Sequence, residues 1–220
     1  MTARIVAALA ALTIGVAAAA PAASAGPVPT FVDMDDDGRY SRGDLRIDRL
    51  GGYRQLDGGK VLVGSVGSGE NRFTLLYVLN GHDLHVNGRL TGHNLAIVNR
   101  GGDIHVGAGA QIVASGPQFA LATRRGPAGT TIDGALRIGA AARVEHSYPA
   151  GRARQVQIET GDLTLAAGVD VASLPARAAG RAAARTQDGT GPAHVMVTGT
   201  LERHPTAAVR GLPIVGPPRP

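Results

Sequence analysis

Gly102-Asp103-Ile104-His105-Val106-Gly107-Ala108-Gly109 and Gly161-Asp162-Leu163-Thr164-Leu165-Ala166-Ala167-Gly168 are one phrase written twice. Each sets two apolar residues around a variable one and then turns on small residues. Alternation of this kind sends neighbouring side chains to opposite faces of an extended chain, so Ile104 and Val106 share one face and His105 takes the other. The pattern recurs along the chain. Leu84, Val86, Gly88 and Leu90 match Ile104, Val106, Gly109 and Ile112; further copies are Leu136, Ile138 and Val144, then Leu163, Leu165, Gly168 and Val171, then Val195, Val197, Gly199 and Leu201. The first residues of these copies, 84, 104, 136, 163 and 195, are 20, 32, 27 and 32 positions apart. Uneven spacing of that size is what stacked β units with loop insertions give, each unit burying its apolar residues on the next.

The spacing predicts a mainly β chain whose body, residues 61–203, is an irregular parallel β-helix. Short β-type runs bounded by Gly, Asn and Asp fall at 73–79, 83–86, 95–99, 103–106, 111–114, 136–138, 156–158, 162–165 and 194–197. No long segment of helical period competes with them. Asn80-Gly81 and Asn87-Gly88 are favoured two-residue turns of antiparallel hairpins, so an antiparallel β-sandwich or meander is the alternative. The two quoted phrases resemble the degenerate repeats of haemagglutinin-type and other surface β-helix proteins. That resemblance implies a rod-like, surface-exposed or adhesive element, and no secretion-domain signature of that family accompanies it.

Ahead of the body, in a segment spanning 26–60, Asp33-Met34-Asp35-Asp36-Asp37-Gly38-Arg39-Tyr40-Ser41-Arg42-Gly43-Asp44-Leu45 has the spacing of a calcium loop. Such a loop needs oxygen ligands at positions 1, 3, 5, 7, 9 and 12 and a glycine at 6, where the backbone turns sharply around a hard cation. Asp33, Asp35 and Asp37 fill the first three positions. Gly38 takes the turn, Arg39 offers its carbonyl, Ser41 its hydroxyl or a water, and Asp44 closes the ring. The alternative is an Asp-rich solvated turn, since Asp and Gly favour turns on conformational grounds alone. The closing acid is Asp rather than the longer Glu, which weakens bidentate coordination and sets the expected affinity near 10⁻⁴ to 10⁻³ M, on the order of extracellular modules.

With Tyr40 at its apolar position and Leu45 after the last acid, residues 33–50 resemble the EF-hand-like repeat of dockerin modules. The resemblance implies a calcium loop followed by a short helix. Dockerins carry two repeats and bind cohesins through them. This chain shows no second copy, and Pro27 and Pro29 oppose an entering helix, so a cohesin partner is not implied. The exit segment 45–50 reads either as a short helix stopped by Gly51-Gly52 or as a strand with Leu45, Ile47 and Arg49 on one face.

At the start, Arg4, the apolar run 5–20 and the Ala23-Ser24-Ala25 exit have the form of a secretory signal peptide over 1–25, cleaved before Gly26. An uncleaved anchor is the competing reading. Export would place the protein outside the cell or in the periplasm, with no stable membrane insertion after cleavage. There is no Cys, so no disulfide framework supports the fold. From Gln118 onward 12 Arg face 7 Asp and Glu, within a formal net charge of +5. That excess suits an anionic polysaccharide or lipid surface, although Lys60 is the only lysine and such Arg, Ala and Gly richness also follows from base composition. Aromatic content of 3% leaves little for base stacking, which speaks against nucleic acid as a partner. The segment 175–192 reads as an exposed Arg-bearing insertion, and 204–220 as a Pro-rich disordered tail.

Catalytic patterns are sparse. His85 and His105 fall at equivalent outward positions, with Asp83 and Asp103 beside them, a set that can bind a transition metal or move protons but reads more simply as a solvated face. Gly64-Ser65-Val66-Gly67-Ser68-Gly69 lacks the Lys of a phosphate loop and reads as a flexible connector. These features favour a non-enzymatic, calcium-binding structural or adhesive protein at the cell surface or outside the cell, with a cell-surface or polysaccharide partner. The alternative is a β-helical lyase or hydrolase of anionic glycans using Asp83, Asp103, Arg89 and Arg100.

Overall fold

The computed structural model describes residues 27–47, 50–123, 134–148, 155–175 and 193–216. The expected signal peptide, nearly all of the Arg-bearing segment 175–192 and the last four residues of the expected tail lie outside the described residues. The strands in chain order are β1 (Phe31–Asp33), β2 (Leu45–Arg46), β3 (Tyr53–Leu56), β4 (Val61–Val66), β5 (Phe73–Val78), β6 (Asp83–Val86), β7 (Arg89–Gly92), β8 (Asn94–Asn99), β9 (Ile104–Val106) and β10 (Gln111–Ala114). They continue as β11 (Gln118–Thr123), β12 (Ala135–Ile138), β13 (Arg143–Tyr148), β14 (Gln155–Thr160), β15 (Asp162–Leu165), β16 (Asp170–Pro175), β17 (Ala193–Val197), β18 (Leu201–Arg203), β19 (Ala208–Arg210) and β20 (Ile214–Val215). The protein is mainly β, as the sequence predicts.

From β5 onward the strands come in triplets, and each strand pairs in parallel with the strand three places later. Three sheets result: β18-β15-β12-β9-β6-β1-β2, β19-β16-β13-β10-β7, and β20-β17-β14-β11-β8-β5-β4-β3. The register stacks like residues. Leu84, Ile104, Leu136 and Leu163 form one row, and Val86, Val106, Ile138 and Leu165 the next. Leu90, Ile112, Val144 and Val171 form a row in the second sheet, and Leu76, Ile97, Leu121, Ile158 and Val195 in the third. All of these side chains are buried in one apolar cluster. Asn87-Gly88, which reads as a hairpin turn, instead carries the chain from the first sheet to the second, because β6 pairs with β1 and β9 while β7 pairs with β10.

The last copy of the repeat is out of register. Leu201, not Val195, lies opposite Leu163, and Val195 belongs to the third sheet opposite Ile158. The segment expected as a flexible connector begins inside β4, where Ser65 pairs with Thr74 of β5. Gly64 is required there for contact rather than flexibility: its φ is +137°, and a Cβ would stand 1.5 Å from the Gly52 carbonyl oxygen of the β3 hairpin arm. The expectation of a disordered tail from His204 is also corrected. β19 adds to β16 and β20 to β17, and Ala207 and Leu212 are buried beneath them. Five prolines obscured two short strands that gain their partners only from the sheet already present. Among the described residues no helix is long and apolar enough to cross a membrane.

The N-terminal end is closed by antiparallel additions. β1 runs antiparallel to β6, with Phe31 opposite His85, Val32 opposite Leu84 and Asp33 opposite Asp83. β2 returns alongside β1, so residues 45–46 take the strand alternative and not the helix. The Asp-rich loop is thus the connection of a short hairpin fastened to the first triplet. Thr30 and Asn87 bolt it further: the Thr30 hydroxyl donates to the Asn87 carbonyl and accepts from its N–H, and the Asn87 amide donates to the Pro29 carbonyl.

Candidate metal centre

The loop between β1 and β2 is wound around two of its own carboxylates. Asp33, at the end of β1 and 1% exposed, accepts the N–H groups of Asp37 at 3.3 Å and Gly38 at 2.7 Å. Asp44 accepts the N–H of Met34 on one oxygen at 2.9 Å and that of Ser41 on the other at 2.5 Å. Asp37 in turn accepts from the Arg39 N–H at 2.7 Å, and the Ser41 hydroxyl accepts from the Gly43 N–H at 3.2 Å. Such local bonds are what Asp and Ser supply in turns. Gly38 sits at φ +75°, the left-handed conformation that the sixth position of the pattern calls for.

Asp33, Asp35 and Asp37 each offer a ligand oxygen, and these lie within 4.8 Å of one another. An ionised carboxylate has about four acceptor positions, so the two N–H bonds to Asp33 leave capacity for a cation. Asp44 is near enough for its charge to act on Asp35. The structure brings Asp33, Asp35 and Asp37 together, while the Arg39 N–H, the Ser41 hydroxyl and both Asp44 oxygens take part in the hydrogen bonds that shape the loop.

The electrostatics divide the carboxylates. Burial pushes the Asp33 carboxyl up, but the Gly38 N–H, a hydrogen bond from Asp35, the Asp37 N–H and the nearby His85 hold it below the usual range. Asp35 is pushed the other way, by desolvation first and then by repulsion from Asp37, its hydrogen bond with Asp33, and the charges of Asp44 and Asp33. A bound divalent cation would relieve that repulsion.

His85 is a neighbour that the loop pattern does not reveal. Its Nε2 is buried without a hydrogen-bond partner and lies 3.6 Å from Asp33 Oδ2. Its ring stacks on Phe31 with centroids 4.6 Å apart and planes 4° from parallel, and on His105 at 4.6 Å and 24°. Tyr40 from the loop tilts against Phe31 at 5.4 Å. Burial and then the charge of His105 depress the His85 pKa, against the opposing pull of Asp33, Asp83 and Asp44. The only sequence signal for this contact was the repeated Asp-x-His phrase, because pairing of β1 with β6 spans 54 positions from Phe31 to His85.

Asp83 and Asp103 prove to be braces as well as outward groups. Asp83 Oδ1 accepts the Asp103 N–H at 2.8 Å, Asp103 Oδ1 the Ala135 N–H at 2.6 Å, and Asp162 Oδ1 the Thr200 N–H at 2.6 Å. The Asp of the repeated phrase therefore bonds the backbone of the next triplet. Arg89 is exposed in β7 of the second sheet and Arg100 lies just after β8 of the third, and among the described residues no ion pair joins them to Asp83 or Asp103. No family model matches the chain, and no curated protein and no solved structure matches it.

Proposed function

We propose that this chain is a secreted, calcium-stabilised, non-enzymatic structural or adhesive protein that works at the cell surface or outside the cell, its body a parallel β-helix. One observation carries the metal reading: four carboxylates at the spacing of a calcium loop sit in a turn whose own N–H groups already bind the first and last of them. Calcium would be held by Asp33, Asp35 and Asp37, with the Arg39 carbonyl, Ser41 and Asp44 completing the oxygen shell. The dockerin-like form of the loop supports this without bringing a cohesin partner. The parallel pairing of each strand from β5 to β17 with the one three places on supports the β-helix over the sandwich. Secretion rests on the leader-like composition of residues 1–25.

The role of the ion follows from where the loop is attached. β1 covers the end of the first sheet with buried Phe31 and Val32, and an unpaired sheet edge there would otherwise be open to association. Drawing three carboxylates around one cation fixes the β1–β2 hairpin and so closes that end. The test is calcium affinity in variants. Asp33→Asn and Asp37→Ala should each weaken binding at least tenfold, as each removes a charged ligand; unchanged affinity in both would refute the loop assignment.

A further inference from the structure

Beyond the calcium loop, a second set of donors converges between the first two triplets. The parallel register of β6 and β9 places His85 beside His105, and one step earlier brings Asp83 alongside Asp103. Ligand atoms of Asp83, Asp103 and His105 all lie within 4.8 Å of one another, and all three residues are half-buried. His105 Nε2 stands 3.2 Å from Asp83 Oδ2. Two donors bound to one tetrahedral zinc at their usual lengths are about 3.3 Å apart, so this separation already suits shared coordination.

The carboxylates are also oriented for it. The Oδ1 atoms of both Asp83 and Asp103 are engaged by backbone N–H groups of the following triplet, which fixes each carboxylate plane. Outer hydrogen bonds of this kind orient metal ligands and are part of a built site. The one cation facing the cluster among the described residues is Arg137, whose Nη2 is 3.8 Å from Asp103 Oδ2 with its side chain 59% exposed. So exposed a pair contributes little and yields readily to a divalent ion. One imidazole and two carboxylates favour first-row transition cations over calcium or magnesium, which prefer oxygen alone.

We propose that Asp83, Asp103 and His105 form a three-ligand site for a divalent first-row transition cation such as zinc, with its remaining coordination open to water. The ion ties the first triplet to the second through side chains, where the backbone already ties them through β6 and β9. The site is separate from the calcium loop and does not rest on it.

The test is zinc calorimetry on the metal-stripped full chain in saturating calcium, repeated with cobalt to record its visible spectrum. One zinc per chain is expected, with affinity at least tenfold weaker in Asp83→Asn and His105→Gln and unchanged in Asp33→Asn. Arg137→Ala should bind as tightly or more tightly. No saturable zinc binding, or binding indifferent to both site variants, overturns the proposal. If the variants do not fold, cobalt-induced shifts of histidine ring resonances in the unaltered protein decide it. Shifts centred on His105 support the site, and shifts centred on His82, His93, His194 or His204 overturn it.

Discussion

Ile104 and His105 are neighbours on β9 that face opposite ways, and replacing each by Ala measures what the two faces contribute. Ile104 is fully buried between Leu84 and Leu136 of the adjacent triplets. Truncation removes three carbons from a site lined by strands on both sides, and such a site relaxes little, so the loss combines transfer and cavity terms at about 3–4 kcal/mol. In a chain of this length 1 kcal/mol shifts the midpoint by roughly 2–4 °C, which puts the expected drop near 10 °C. His105→Ala removes a ring stack on His85 and a hydrogen bond to half-exposed Asp83, together worth about 1 kcal/mol. Urea unfolding of both variants in chelator gives the comparison, with an unchanged m-value showing that the unfolded state is not what moved. Ile104→Ala combined with Leu136→Ala should show a coupling of about 0.5–3 kcal/mol, since the two side chains touch across triplets. Equal losses for Ile104→Ala and His105→Ala, or no coupling in the double variant, would refute the assignment of faces and rows.

Removing residues 204–220 takes away β19 and β20 and uncovers Val171 and Val195, so the melting temperature should fall by about 5–10 °C; an unchanged value would mean the terminal strands contribute nothing. Gly64→Ala pushes a Cβ into the Gly52 carbonyl, and since β3 is an edge strand the chain relieves the clash by releasing it. Hydrogen exchange should then show loss of protection confined to residues 53–56 and their β4 partners, whereas retained protection would contradict the close approach. Stability in chelator should depend on pH in two windows. Asp33 and Asp83 have depressed pKa values, so their contribution is present above the unfolded value of about 3.9 and is lost as pH falls through the lower folded values. His85, depressed as well, favours the neutral ring in the fold and begins to cost stability as pH falls below about 6.5. Asp35, whose pKa is raised, works in the opposite sense and offsets part of the acid loss. Urea midpoints between pH 3 and 8 that do not decline on the acid side would contradict these assignments.

Much of the body was legible because its information is local. Ile104 and Val106, Leu136 and Ile138, and Leu163 and Leu165 announce both their strands and their mutual register, and Leu90, Ile112, Val144 and Val171 announce the second sheet. The third sheet was harder to align. Its rows, such as Leu76, Ile97, Leu121 and Ile158, sit in strands whose outward residues are also apolar, Ala96 and Val98 among them, which erases the alternation. β1, β19 and β20 are too short to carry a pattern and owe their state to partners far away in sequence. At the candidate metal centre, the loop spacing identified Asp33, Asp35 and Asp37, which do converge. It could not identify His85 behind Asp33, or that the Asp83, Asp103 and Asp162 carboxylates brace the next triplet, because both depend on which strands lie side by side.

The most direct test of calcium stabilisation is calorimetric titration of the metal-free protein with calcium, paired with melting curves in calcium and in chelator. One calcium per chain with Kd of about 10⁻⁴ to 10⁻³ M is expected. Saturation to 100 times Kd would add about 2.7 kcal/mol, a rise of roughly 5–10 °C in melting temperature. Absence of binding heat together with coincident melting curves would reduce the Asp33–Asp44 loop to a turn held by its own hydrogen bonds.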